Sequence, residues 1–147
     1  MNTDSAHRNG WKIAEVVFGI PFLLAIALQL VVPFRLSQGI LRQALIPTGI
    51  SLVVIGIGFI VSARREFAHH GQPTAPGQPT SKVIKTGIFS ISRNPLYLGS
   101  VLVVLGIALI LNMLWALVTL FISIETCHHI LIVPEETYLA TKFGKEY

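Results

Sequence analysis

The chain has 147 residues, 52% of them apolar and only 12% charged, with a formal net charge of +4 and a mean hydropathy of +0.69. Soluble domains carry about 25% charged residues, so too few polar groups are present to cover a soluble surface. Nothing is charged or repetitive enough for a disordered, collagen-like or coiled-coil protein. The length allows one compact unit over residues 1–147, and the expected class is all-α: an integral membrane helical bundle.

Apolar runs long enough to cross about 30 Å of hydrocarbon lie at 13–34, 43–63, 96–111 and 113–133. The first holds Glu15 and Pro21, and the second holds Gly49, Gly56 and Gly58 as surfaces for close helix contact. The third and fourth are separated by Asn112 alone, which predicts a tight hairpin. Five Lys and Arg residues, Arg64, Arg65, Lys82, Lys85 and Arg93, fall between the second and third runs, and none falls in the 3–4 turn. The positive-inside rule therefore places both termini and the 64–95 loop on the cytoplasmic side. The cations flank apolar runs, which argues for membrane topology and against a nucleic-acid partner. Cys127 is the one cysteine, so compartment cannot be read from disulfides.

The 64–95 loop is much longer than an ordinary helix connection. It repeats GQPT at 71–74 and 77–80 and is dense in Gly and Pro. Such a segment is either an extended linker or a backbone path shaped around a ligand; the apolar stretches Val83–Ile84 and Gly87–Ile91 favour an ordered loop. Ser92-Arg93-Asn94-Pro95-Leu96-Tyr97 follows, with Asn94 suited to an N-cap and Pro95 to the first helical position. The structural reading is a well-made helix start with an interfacial tyrosine. The functional one is an anion site formed by unpaired N–H groups and Arg93.

The fourth run ends in a polar cluster, Glu125-Thr126-Cys127-His128-His129. Glu125 has His128 and His129 at i+3 and i+4, either as a buried bond between helices or as a functional carboxylate at membrane depth. A metal site is not expected, because adjacent histidines diverge on a helix and His69-His70 is remote in sequence. Cys127 reads as core rather than nucleophile. Pro134 then starts a last cytosolic interfacial helix, Glu135–Tyr147, with Glu135 and Glu136 in its first turn and Leu139 and Phe143 as i,i+4 partners.

The stretch HGQPTAPGQPTSKVIKTGIFSISRNPLYLG, followed after a helical hairpin by PEETYLATKFGKEY, resembles the isoprenylcysteine carboxyl methyltransferase family, a relative of the phospholipid N-methyltransferases. The resemblance covers roughly residues 60–147. It implies an integral membrane methyltransferase that uses S-adenosyl-L-methionine and releases S-adenosyl-L-homocysteine. Carried onto this chain, the cofactor-binding residues are Gln72, Pro73, Thr74, Lys85, Arg93, Asn94, Pro95, Tyr97, Glu135 and Glu136. Arg93, Tyr97 and Glu136 are the catalytic candidates, and Gly71, Gly99, Leu139, Phe143, Gly144 and Tyr147 complete the matching positions.

The implied reaction is direct methyl transfer to a lipophilic small molecule entering from the bilayer, a carboxylate or thiol first and an amine second. Arg93 or the helix start would take the methionine carboxylate, and Glu135 or Glu136 the ribose or amino group. The eukaryotic enzymes have histidine where this chain, like many bacterial relatives, has Asn94, so the resemblance still implies cofactor binding and leaves the acceptor open; the expected location is a bacterial cytoplasmic membrane. Family members usually continue past the Gly-x-x-Tyr segment, so a truncated chain or a missing piece of acceptor wall is expected after Tyr147. A non-catalytic membrane subunit stands as the reading from another class. Lipids are expected neighbours, and the residues leave the oligomeric state open.

Overall fold

A computed structural model describes residues 14–72 and 83–144. Among them the chain is helical, without named strands: α1 (Ala14–Val31), α2 (Ile40–His69), a 3₁₀ turn (Gly87–Ser90), α3 (Pro95–Ile110), α4 (Leu114–Cys127), a π-turn (His128–Ile132) and α5 (Val133–Phe143). Pro73, Thr74 and Tyr147 lie outside the described residues, as does the second GQPT copy.

Helix limits differ from the apolar runs. α2 starts at Ile40 and ends at His69, so it carries Arg42 at one end and Arg64, Arg65 and Glu66 at the other. Polar residues continue a helix wherever no water-facing turn competes with its hydrogen bonds, so hydropathy marks the apolar stretch and not the helix. α1 runs through Pro21 and α2 through Pro47. Around Pro47, which lacks an N–H, Thr48 Oγ1 donates to Ala44 O and Ser51 Oγ donates to Pro47 O.

α2 packs along α3, α3 along α4, and α4 along α1, with a smaller α1–α3 contact. The α2–α3 seam follows from small residues seven apart. Gly49 meets Gly106 and Gly56 meets Gly99; a Cβ on Gly56 would lie 2.7 Å from Gly99 O, and one on Gly49 2.6 Å from Gly106 O. A seven-residue repeat keeps one stripe facing its partner along two gently crossing helices, and the absent side chains let the backbones touch. Ala63 continues the α2 repeat and is fully buried. Gly58, expected to share in such contacts, has nothing within 4 Å of its Cβ position.

The end remote from the 64–95 loop is tied by hydrogen bonds. Asn112 sits at φ +56 in the α3–α4 turn, as the expected hairpin requires. Its Oδ1 accepts from Ser37 N (3.0 Å) and its Nδ2 donates to Ser37 O (2.8 Å). Trp115 Nε1 donates to Val32 O, and its ring packs on Phe34.

Two helical runs, Ile40–His69 and Leu114–Lys142, are long and apolar enough to cross a membrane, and the apolar window of the first is only 11% buried. Large apolar side chains are exposed on three of the long helices, among them Leu23, Leu30, Val54, Ile57, Phe121 and Ile122. The helix of a soluble core would bury these faces; here they point outward.

Candidate functional site

The second of those runs corrects the expected C-terminus. No separate interfacial helix begins at Pro134; α4 continues through the π-turn into α5. Pro134 has no N–H for Ile130 O, and its ring would press on that carbonyl in a regular helix. The turn just before it widens instead of breaking. In an α-helix each i+4 step advances by about 40°, and the wider turn offsets that drift. Cys127, Leu131 and Glu135 thereby stay on one face, the first two buried and Glu135 half-buried.

That face meets the start of α3. Tyr97 Oη donates to Glu135 Oε2 at 3.0 Å, and the Tyr97 ring packs on the cluster of Val17, Phe18, Leu120, Cys127 and Leu131. The two sequence blocks, far apart in the chain, therefore touch through a phenol–carboxylate bond. Glu136 is half-buried next to it in sequence. Pro95 is fully buried at the first helical position, as expected. Asn94 occupies the N-cap position but makes no side-chain cap bond; its N–H donates to Ser92 Oγ at 3.2 Å. Arg93, two residues before this helix, and Lys85 are both exposed. The side chain of Phe143 lies outside the described residues, which leaves Leu139 half-buried without its expected partner on view.

A second cluster was not singled out by sequence. At the end of α2, Glu66 Oε2 accepts from Thr86 Oγ1 (3.0 Å) and lies 3.6 Å from His70 Nδ1. Thr86 Oγ1 is also 3.5 Å from His70 Nε2. The Glu66 carboxylate covers Gly87, whose φ of +56 and lack of a Cβ make room for it. Phe67 and Phe89 pack edge to face at 5.1 Å. Gln72 is buried just past α2, its N–H bonded to Phe67 O at 2.8 Å. These contacts clip the two flanks of the Gly/Pro segment together and lead the chain into Ser92–Tyr97. The one sequence signal was the i,i+4 spacing of Glu66 and His70.

The Glu125 cluster departs from the buried bond weighed above. Glu125 lies 3.9 Å from His129 on an exposed face, while His128 meets His129 edge-on with ring centroids 5.2 Å apart. Among the described residues no group of three or more metal-ligating side chains converges.

An all-helical chain with outward apolar faces, its polar clusters gathered at helix ends, defines a membrane-associated helical protein. Its sequence matches the phospholipid methyltransferase family over residues 45–146, more than two-thirds of the chain. The chain belongs to that family, a methyltransferase family, and the match spans α2 to α5 and hence every element of the site. No individual characterised protein and no solved structure matches it.

Proposed function

We propose that the chain is an S-adenosyl-L-methionine-dependent methyltransferase whose four long helices all cross the membrane. Its cytoplasmic end would carry Arg64, Arg65, Lys85 and Arg93, and its acceptor would be a lipophilic small molecule reached from the bilayer. The observation that carries this reading is the Tyr97–Glu135 bond, which joins the loop block and the C-terminal block inside the region matched by the family.

The donor set suits the cofactor. S-adenosyl-L-methionine presents ribose hydroxyls, an ammonium and a carboxylate, and when bound it supplies an electrophilic methyl group on a sulfonium. Glu135, oriented by Tyr97, and Glu136 offer acceptors for hydroxyl and ammonium groups. Arg93 and the N–H groups of the first turn of α3 offer donors for the carboxylate. Gln72, Asn94 and Lys85 flank the same end, with Pro95 fixing the helix start. Methyl transfer to an ionised acceptor needs alignment and exclusion of water more than acid–base help. The packed cluster under Tyr97 would give the acceptor's reacting end a dry floor.

A carboxylate or thiol acceptor is the first reading, from the resemblance of the loop and C-terminal blocks. A lipid amine is the second, favoured by the family match and by the two half-buried carboxylates. Calorimetric titration of purified protein with S-adenosyl-L-homocysteine tests the cofactor. Transfer of labelled methyl to matched lipophilic acids, thiols and amines then separates the acceptors. A folded, full-length sample that binds no S-adenosyl-L-homocysteine refutes the enzyme. A non-catalytic subunit would instead lose assembly, and not turnover, on Tyr97→Phe and Glu136→Ala.

A further inference from the structure

Glu125 and His129 have no role in the Tyr97–Glu135 site. They lie one turn apart on the outside of α4 and the π-turn, 57% and 72% exposed. His128 is exposed beside them. The same side of α4 also exposes Val118, Phe121 and Ile122.

Their depth follows from the four-span reading proposed above, on which this inference rests. Arg42 and Arg64 bound the apolar part of α2 and lie about 33 Å apart along the helix, close to the hydrocarbon thickness. The bilayer centre is then near Val53. The Gly49–Gly106 and Gly56–Gly99 contacts bring Val53 level with Leu102. Because α3 reverses at Asn112, the same level on α4 is near Ile122. Glu125 is therefore about one turn from the centre of the hydrocarbon. Ionisable side chains at that depth face a bundle interior or a water-filled cavity, where a partner or water replaces lost hydration. The single chain turns this pair outward.

We infer that the outer face of α4, from Val118 to His129, is the contact surface between two copies of this chain in the membrane, with Glu125 and His129 fixing its register. The face is self-complementary. Two copies inserted in the same sense are related by a two-fold axis along the membrane normal, which sets equal residues of α4 at equal depth. The two Glu125 carboxylates then lie level with each other, and the imidazoles of both copies lie one turn away to donate to the pair. Each copy brings both the acceptor and the donors, so no third component is needed. The exposed positions 118, 121, 125 and 129 recur at steps of three and four, the spacing of a helix–helix seam. One polar position in an apolar seam sets register, because any slip leaves it facing hydrocarbon.

The test uses the full chain in liposomes. In a Cys127→Ser background, Phe121→Cys and Ile122→Cys should form disulfide-linked dimers under copper phenanthroline, whereas Val54→Cys on the exposed side of α2 should not. Energy transfer between labelled copies across a lipid-dilution series should show association weakened by at least about tenfold in Glu125→Leu/His129→Leu. That variant places lipid-compatible side chains outward, so it should stay folded by far-ultraviolet circular dichroism. Wild-type protein that is monomeric at every dilution yet binds S-adenosyl-L-homocysteine overturns the inference and leaves the proposed enzyme standing. Cross-linking through Val54→Cys instead, or unchanged association of the double variant, overturns it too. Altered methyl transfer to a lipid acceptor with unchanged association would make the face an acceptor path and not a dimer contact. Release of the chain from membranes by alkaline carbonate removes the four-span reading and this inference together.

Discussion

Gly56→Ala tests the seam that holds α3, and with it Tyr97, at its height. The added Cβ would lie 2.7 Å from Gly99 O and 2.9 Å from both Val103 N and Val103 Cγ2, against an ordinary contact of 3.4 Å or more. Two of these neighbours are backbone atoms, so rotamer changes cannot relieve them. The helices must separate by about 0.7 Å over that stretch, and overpacking of this kind costs about 1–3 kcal/mol. Helix propensity works the other way, by up to about 1 kcal/mol in favour of alanine, which leaves a net loss centred near about 1 kcal/mol and reaching about 2 kcal/mol. Gly58→Ala carries the same propensity gain with nothing within 4 Å, so it should be neutral or slightly stabilising. Both variants, unfolded in mixed micelles by increasing mole fraction of dodecyl sulfate and followed by circular dichroism, give the comparison directly. Methyl transfer should fall with stability in Gly56→Ala, because Gly99 lies two residues from Tyr97. Equal midpoints for Gly56→Ala and wild type, or an equal loss in Gly58→Ala, would refute the close-contact seam.

Tyr97→Phe keeps the ring on Leu131 and Cys127 but removes the donor to Glu135; a bond to a carboxylate is worth about 1.5–3 kcal/mol, so kcat/KM for methyl transfer should drop by about tenfold or more with the circular dichroism spectrum unchanged. Asn112→Ala loses both Ser37 bonds and leaves a side chain poorly suited to φ +56. It should cost about 2–3 kcal/mol in the same unfolding assay, with Asn112→Gly intermediate because glycine restores only the backbone freedom. Glu66→Ala removes the acceptor for Thr86 above Gly87 and should speed amide exchange of Phe89 and Ile91 by about fivefold, the equivalent of one lost bond of about 1 kcal/mol. Glu66→Gln, which keeps an acceptor oxygen, should exchange like wild type.

Several local features were legible in the sequence. Pro95 at a helix start, the hairpin at Asn112 and the buried Cys127 follow from local chemistry: a missing N–H, a tolerated positive φ, an apolar neighbourhood. The Glu125 contact was half legible, since i,i+4 spacing brings Glu125 to His129, but spacing alone does not say which way a helix face points. Glu66 was passed over because its partners, Thr86 and Gly87, are twenty residues away across a loop, and no local pattern links them. Gly58 looked like its neighbours Gly49 and Gly56; only the phase of the seven-residue repeat against α3 separates contact from exposure.

Composition and motif were enough to set the surrounding medium and the chemistry class. Its 52% apolar and 12% charged composition demands hydrocarbon outside, and two blocks of motif within residues 60–147 carry the methyltransferase resemblance. Tertiary structure alone decided which groups of those blocks meet. Pro134 reads locally as a helix start, because a proline at a first turn costs nothing. In the folded chain the helix is already committed by packing on both sides of it, and a wider turn costs less than exposing broken backbone bonds. That turn carries Glu135 onto the face of Cys127 and Leu131, where Tyr97 receives it.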